Sequence, residues 1–159
     1  MGTNVLTSST LIPIITMEDY RMNSNQPLRG LSTISFYAAD HEGAKKWYSE
    51  LLGISPYFQV PGYVEFRIGD YQHELGIIDS RYAPEGYSAH PSGAVLYWHV
   101  DDLKATFEKL LSMGAKEYQP ITDRTEGFVT AAVIDPFGNI LGIMYNPHYL
   151  EILSSTKTN

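Results

Sequence analysis

Three side chains are candidates for proton transfer: His99, Glu65 and Glu74. A histidine titrates near neutral pH and a carboxylate can accept or donate a proton, so these residues could act as general acid and base. Each also has an ordinary structural role. His99 could be hydrogen-bonded at a strand end, and the glutamates could form a cross-strand ion pair with Arg67 or orient a polar ligand. A metal site built from His99 and the two glutamates is a further alternative.

Side chains alternate between the two faces of a strand, which assigns other residues to the same face as this trio. Three of them are tyrosines, which could stack on a flat ligand or cover apolar surface. Two are glycines in mid-strand, where glycine weakens a strand. We expect the glycines to let a ligand approach the sheet, with close strand packing as the alternative. The predicted ligand-binding residues are Thr33, Ser35, Tyr37, Tyr63, Arg67, Gly76, Val95, Tyr97, Gly142 and Met144, and alternation adds Val129, Ala131 and Val133 to this face.

Composition excludes several classes of function. The chain has 159 residues and no cysteine, so thiolate nucleophiles, disulfides and zinc–sulfur sites are excluded. Its formal net charge of −7 and pI near 5.1 disfavour nucleic acids and anionic membranes as partners. We find no phosphate-binding glycine loop and no Ser–His–Asp arrangement. The other histidines, at positions 41, 73, 90 and 148, are interpreted as surface residues.

The elements that must position these residues occur twice. The segment HELGIID matches NILGIMY at Leu-Gly-Ile, which pairs Gly76 with Gly142 at an offset of 66 residues (142 − 76). At that offset Ile68 falls on Ile134. Upstream, TISFYAAD matches VLYWHVDD, and a helix-length segment ending in glycine follows each match. The chain is therefore predicted to contain two copies of a strand–helix–strand–strand–strand module.

Local signals set the expected element boundaries. Asp40 and Asp102 are suited to cap helices, and Gly53 and Gly114 to end them. Helices are predicted at 41–52 and 103–113. Strands are predicted from residue 31 and at 57–60, 63–68, 73–78, 94–100, 117–120, 128–134 and 140–145. In the hairpin before the last strand, Pro136 suits a first corner position, and Gly138 and Asn139 suit the left-handed conformation.

The expected domain organisation follows from these boundaries. Residues 1–29 form an extension, interpreted as flexible or as an arm that packs on a neighbour. Module 1 covers 30–80, a linker rich in Pro, Gly and Ser covers 81–93, and module 2 covers 94–147. The tail, 148–159, is expected to hold a short helical turn around 149–153. No membrane span or signal peptide is recognised, so a cytoplasmic protein is expected.

The paired modules, the Asp-capped helix ending in Trp47-Tyr48 and Leu52-Gly53, and the hairpin DPFGN resemble the vicinal oxygen chelate superfamily. That family includes glyoxalase I, extradiol dioxygenases, fosfomycin-modifying enzymes, epimerases and bleomycin-binding resistance proteins. The similarity covers residues 31 to 145. It implies an α+β fold in which two βαβββ modules form a curved eight-stranded mixed sheet around a cleft, with the helices outside. It also implies a homodimer, in line with the uncovered sheet edges of each module.

The metal-dependent members of that family place four ligands in the cleft, and the matching positions here are Thr33, Gly76, Val95 and Gly142. None is a usable side-chain ligand for a divalent cation. We therefore expect no metal and no cofactor. The prediction is a metal-independent small-molecule-binding protein of the glyoxalase/bleomycin-resistance type, which takes an aromatic or amphiphilic ligand. The alternatives are a metal-free acid–base lyase or isomerase and a purely structural or partner-binding protein.

Overall fold

The computed structural model describes residues 27–28 and 30–156. The chain divides into two compact units, Met1–Gly30 and Leu31–Asn159, and the fold below is that of the second unit. The prediction of an extension over residues 1–29 falls almost entirely outside the described residues. Within them, no helix is both long and apolar enough to cross a membrane.

Module 1 is a four-stranded sheet with one helix on one side. Its strands lie in the order β1-β4-β3-β2, with β1 parallel to β4 and the other pairs antiparallel. Asp40 accepts a hydrogen bond from the N–H of Gly43 and begins the helix, and Gly53, with φ of +68°, ends it. The elements are β1 (Thr33–Ala38), α1 (His41–Leu52), β2 (Phe58–Val60), β3 (Tyr63–Ile68) and β4 (His73–Asp79).

Module 2 repeats this arrangement with the strand order β5-β8-β7-β6. Asp102 caps the helix by accepting from the N–H of Ala105. The first strand is shorter than predicted, and the tail forms a full helix rather than one turn. The elements are β5 (Tyr97–His99), α2 (Leu103–Ser112), β6 (Lys116–Asp123), β7 (Val129–Ile134), β8 (Ile140–Tyr145) and α3 (Pro147–Thr156).

The α+β class and the two βαβββ modules are thus confirmed, with the eight strands divided between two four-stranded sheets. Each helix packs on one face of its sheet and buries an apolar cluster there. Trp98, Phe36, Trp47 and Leu51 pack against both clusters, so the two cores meet between the modules. We call the opposite face of each sheet the open face; in module 2 the tail helix α3 covers this face at His99, whose ring stacks on Tyr149.

One strand presents the face opposite to the predicted one. Ala131 and Val133 were expected on the open face, but both are fully buried in the core beneath α2. The register explains the error: Glu65 pairs with Gly76, whereas the residue paired with Gly142 is Ala132. The step from Glu65 to Gly76 is eleven residues and the step from Ala132 to Gly142 is ten. A repeat aligned at the last strand therefore assigns β7 to the wrong face.

The end of β4 provides a pH-dependent contribution to stability. The Arg81 guanidinium donates to the Asp79 carboxylate at 2.7 and 3.0 Å and, with the backbone N–H of Arg81, lowers the pKa of Asp79 to about 2. Because an unfolded aspartate titrates near pH ~4, this contribution is present above that pH and is lost as the pH falls towards 2. Arg81→Ala should therefore lower the melting temperature at pH 6 by more than at pH 2.5, as measured by circular dichroism. An equal loss at both pH values would contradict the assignment.

Candidate functional site

A carboxylate held between two tyrosines forms the centre of the open face of module 1. The side chain of Glu65 is buried, and one of its oxygens accepts from the hydroxyl of Tyr57 while the other accepts from that of Tyr63. The Tyr57 hydroxyl also lies 3.1 Å from Oε1 of Glu74. The sheet register explains the cluster, since Glu65 is the partner of Gly76 and Glu74 lies two residues away on the same face. Two predicted proton carriers, Glu65 and Glu74, are thus brought together.

Both tyrosines stay protonated near neutral pH. Acceptance by the Glu65 carboxylate raises the pKa of Tyr57, and partial burial adds to the shift. Burial, followed by the hydrogen bond to Glu65, raises the pKa of Tyr63 well above its usual range. An ionised hydroxyl would be repelled by the negative charge of Glu65. Both tyrosine hydroxyls therefore stay protonated and act as hydrogen-bond donors.

The cross-strand ion pair predicted for Arg67 is wrong. Arg67 and Glu74 are direct partners in the β3–β4 ladder. Among the described residues, however, no carboxylate lies within ion-pair distance of the Arg67 guanidinium, which instead lies 4.1 Å from the centre of the Tyr57 ring. This is a cation–π contact. A hydrogen bond between the guanidinium and the Tyr57 hydroxyl accompanies it. The exposed Arg67 still has further N–H groups, and Glu74 a second oxygen, with which a ligand could pair.

The two mid-strand glycines leave no open space above the sheet, so the expectation that they admit a ligand is wrong. A Cβ on Gly76 would lie 2.9 Å from the ring of Tyr63. A Cβ on Gly142 would lie 2.5 Å from the carbonyl oxygen of Leu96 and 2.9 Å from Val95. Close packing, the alternative, accounts for both glycines.

The remaining predicted ligand-binding residues are distributed along the rest of the open face. Thr33 and Ser35 are exposed on β1, and Tyr37 packs on Tyr87 of the linker with ring centroids 4.8 Å apart. On module 2, the Tyr97 hydroxyl donates to Oε1 of Gln119 at 2.8 Å. Met144, the Cα partner of His99, is half-buried. Ser35 and Thr33 are therefore the predicted residues with the freest access.

His99 belongs to a different cluster from the two glutamates. Its Nδ1 accepts from the backbone N–H of Asn146 at 3.2 Å, so the proton of the neutral ring lies on Nε2. The ring stacks on Tyr149 of α3 with centroids 4.5 Å apart and planes at 14°. Nε2 is buried without a hydrogen bond, with Oδ1 of Asp101 3.4 Å away. This environment favours the structural role, because α3 covers the ring.

Two interpretations of histidines are corrected by these positions. Among the residues that the structure describes, no group of three His, Asp or Glu side chains could hold a metal ion, so the site combining His99 with Glu65 and Glu74 is wrong. His41, expected at the surface, is buried, and its Nε2 lies 3.1 Å from the carbonyl oxygen of Ile77. It joins the start of α1 to β4.

Tyr57 belongs to the site but was not among the predicted ligand-binding residues. It lies in the strand predicted at 57–60, to which no face was assigned, and in the structure β2 begins one residue later, at Phe58. Its backbone N–H nevertheless donates to the carbonyl oxygen of Glu65 at 3.0 Å, which extends the pairing of β2 and β3 by one residue. The predicted strand at 57–60 could have identified Tyr57, because Tyr57 is the neighbour of Phe58, which is the cross-strand partner of Glu65.

Residues 30–143 match the model of the Glyoxalase/Bleomycin resistance protein/Dioxygenase superfamily. The chain belongs to this superfamily. No curated protein is similar enough in sequence to match the chain.

Solved structures share the fold of this superfamily member at low sequence identity. A glyoxalase-related enzyme from Fulvimarina pelagi is 21% identical, with a TM-score of 0.62 over 76% of this chain and 90% of that one. A glyoxalase/bleomycin resistance protein from Catenulispora acidiphila is 22% identical, with a TM-score of 0.54 over 74% and 100%. A lactoylglutathione lyase from Agrobacterium tumefaciens is 16% identical, with a TM-score of 0.59 over 77% and 98%.

The residues at the superfamily's metal-ligand positions do not fit a metal ion. Gly76 and Gly142 carry no donor atom, and the contact of Gly142 with the Leu96 carbonyl leaves no room for a side chain there. Val95 offers only methyl groups, and the Thr33 hydroxyl is a weak neutral ligand. These four residues therefore provide no set of metal ligands at those positions.

Proposed function

We propose that this superfamily member is a metal-independent small-molecule-binding protein whose ligand lies on the open face of module 1. The observation that carries the proposal is the Tyr57–Glu65–Tyr63 cluster. The cluster lies on the face where the resemblance places the superfamily's cleft. It is next to Gly76, which occupies one of the superfamily's metal-ligand positions. The cluster replaces metal ligands with fixed phenol rings and carboxylates.

The chemistry of the cluster favours an aromatic or amphiphilic ligand. Phe58 is 47% exposed, Tyr57 is 46% exposed and Phe58 lies 6.2 Å from the Tyr63 ring, so an aromatic surface is available for stacking. The Arg67 guanidinium supplies donors beside it, and Glu74 supplies an acceptor oxygen. A ligand with an apolar ring and one polar end would satisfy both groups.

The alternative is a metal-free acid–base lyase or isomerase. The specific observation for it is that one hydroxyl, that of Tyr57, contacts both Glu65 and Glu74. Two carboxylates that contact the same hydroxyl lie close enough together to divide the roles of acid and base. Among the described residues His99 has no hydrogen bond or ion pair to either glutamate, so this alternative relies on the glutamates alone.

A ligand screen with two matched arginine variants tests the proposal. Small aromatic acids, amines and amphiphiles would be screened against EDTA-treated protein by thermal shift, and the Kd of the best compound measured by calorimetry. Arg67→Ala should weaken binding about tenfold, because a charge-assisted hydrogen bond contributes about 1.5–3 kcal/mol. Arg81 is exposed and forms an ion pair with Asp79, so the control variant Arg81→Ala should leave Kd unchanged. No saturable compound, or equal losses in both variants, would contradict the site.

The same compounds distinguish binding from catalysis. If the protein is an acid–base enzyme, some compound should be converted, and Glu74→Gln should abolish conversion while Kd changes little. Binding without conversion of any compound supports the binding protein. Product formation that survives both Glu65→Gln and Glu74→Gln would exclude the glutamates as proton carriers.

We also propose a homodimer in the cytoplasm, without nucleic acid or membrane partners. The edge strand β2 supports the dimer, because Val60 is 47% exposed and the outer backbone groups of the strand have no strand partner among the described residues. Light scattering at micromolar concentration should give twice the chain mass, and Val60→Lys should reduce it to the mass of one chain. A monomeric wild type would refute the dimer.

A further inference from the structure

A cavity of about 240 Å³ lies between the two modules, away from the open face. Its lining comes from the end of α1, from β3 and β4, and from α2, β5 and β8 of module 2. The space is open to solvent on one side, so it is a pocket rather than a sealed void, and a concave apolar pocket of this kind is typical of a small-molecule site. Representative lining residues are Leu51, Leu52, Leu75, Trp98, Leu110 and Ile143.

The lining is apolar and contains no aspartate, glutamate, lysine or arginine. Three of its polar groups already have partners. The Tyr48 hydroxyl donates to Asp135 at 2.6 Å, the Thr106 hydroxyl donates to the carbonyl oxygen of Asp102 at 2.7 Å, and His99 Nδ1 accepts from Asn146. A charged molecule would lose its hydration here without gaining a counter-ion.

We propose that this cavity is a second binding site, for an uncharged and compact apolar molecule. An engineered cavity of about 150 Å³ with a comparable aliphatic and aromatic lining holds benzene, so the larger space here would hold a substituted benzene ring or a small bicyclic compound. The lining reaches the surface at Gly69, which is exposed, and at Thr106, which is half-buried. A ligand can therefore enter without separating the modules.

This site is independent of the one on the open face. None of Tyr57, Glu65, Tyr63 or Arg67 lines the cavity. The lining also joins the two cores that meet at Trp98 and Leu51, so an occupant would contact both modules at once. Binding here should stabilise the fold in proportion to ligand concentration, as for any ligand that binds only the native state.

Toluene and benzoate are suitable probes, because they have similar size and differ in charge. Toluene should bind saturably to the full-length protein, with NMR cross-peaks between its methyl group and the methyl groups of Leu51, Leu110 and Ile143. Benzoate should bind at least about tenfold more weakly, because its carboxylate would be desolvated in the cavity. Leu51, Leu110 and Ile143 line the cavity and pack in the cores rather than on the open face, so the NMR contacts separate this site from the open face.

Two neighbouring leucines on α2 give a matched pair of variants. Leu110 is 1% exposed and lines the cavity, whereas Leu111 is 38% exposed and does not. Leu110→Trp should fill the cavity and lower toluene affinity more than tenfold, and Leu111→Trp should have no effect. Equal affinities in the two variants would overturn the proposal, as would benzoate binding as well as toluene. If Leu110→Trp does not fold, the wild-type NMR contacts decide, and their absence at saturating toluene refutes the site.

Discussion

Gly142→Ala is expected to destabilise the fold by about 3 kcal/mol, near the upper end of the range for overpacked cores. A Cβ at this position would lie 2.5 Å from the carbonyl oxygen of Leu96. The same oxygen accepts the N–H of Gly142 at 3.0 Å, so backbone must move and the pairing of β5 with β8 is disturbed. Chemical denaturation followed by circular dichroism would measure the loss.

Gly76→Ala is the matched control, because Gly76 occupies the equivalent position in module 1. The atoms nearest to its added Cβ belong to the Tyr63 ring, at 2.9 Å and beyond, rather than to backbone. The ring can turn aside at the cost of its hydrogen bond to Glu65, so a loss of about 1 kcal/mol is expected. If Gly142→Ala costs no more than Gly76→Ala, backbone packing is not the reason for the glycine.

Asp135→Ala should cost about 4 kcal/mol and lower the melting temperature by about 10 °C. The Asp135 side chain is 3% exposed and accepts the N–H groups of Phe137 at 2.9 Å and of Asn139 at 2.8 Å. It also accepts the hydroxyl of Tyr48 at 2.6 Å, which links α1 of module 1 to the hairpin of module 2. The side-chain amide of Asn139 is a fourth donor, at 3.0 Å. Alanine would leave the buried Tyr48 hydroxyl and the two part-buried N–H groups without their acceptor, whereas the Asn139 amide keeps the carbonyl oxygen of Tyr37.

Tyr48→Phe removes only the contact between the modules, so comparing it with Asp135→Ala separates the energy of that contact from the energy of the hydrogen bonds within the hairpin. Burial, followed by the adjacent Asp135 charge, raises the pKa of Tyr48 far above its usual range, so the hydroxyl is a permanent donor. Its removal takes away one of the donors and should cost about 1–2 kcal/mol. A loss equal to that of Asp135→Ala would assign the whole effect to the contact between modules, and no loss in either variant would contradict the role of Asp135.

Local signals in the sequence were sufficient for most of the fold. Helix α1 begins and ends where Asp40 and Gly53 predict, and β3 and β8 have the predicted bounds. The hairpin also contains the expected turn, with Pro136 at its first corner and Gly138 at φ of +96°. Of the two residues suited to the left-handed conformation, Gly138 adopts it and Asn139 does not. These features depend on residues close in sequence, and the repeat then fixes the order of the strands.

The errors have a different origin, because they depend on register and on distant contacts. Which residues of β7 face the core depends on the length of the hairpin between β7 and β8. That hairpin is one residue shorter than its counterpart in module 1, and a shift of one residue exchanges the two faces of a strand. The burial of His99 depends on Tyr149, fifty residues further along the chain. Within module 1, the prediction that Glu65, Glu74 and Tyr63 share a face is confirmed. The register could be predicted there because a short hairpin joins β3 and β4.

The most direct test of the central claim is a calorimetric titration of the best aromatic compound from the screen. The compound would be titrated into EDTA-treated protein, and then into the same protein after addition of one equivalent of Ni²⁺, Zn²⁺ or Mn²⁺. Because Thr33, Gly76, Val95 and Gly142 provide no set of metal ligands, we predict the same Kd with and without each metal. Binding that requires one equivalent of metal would contradict the account.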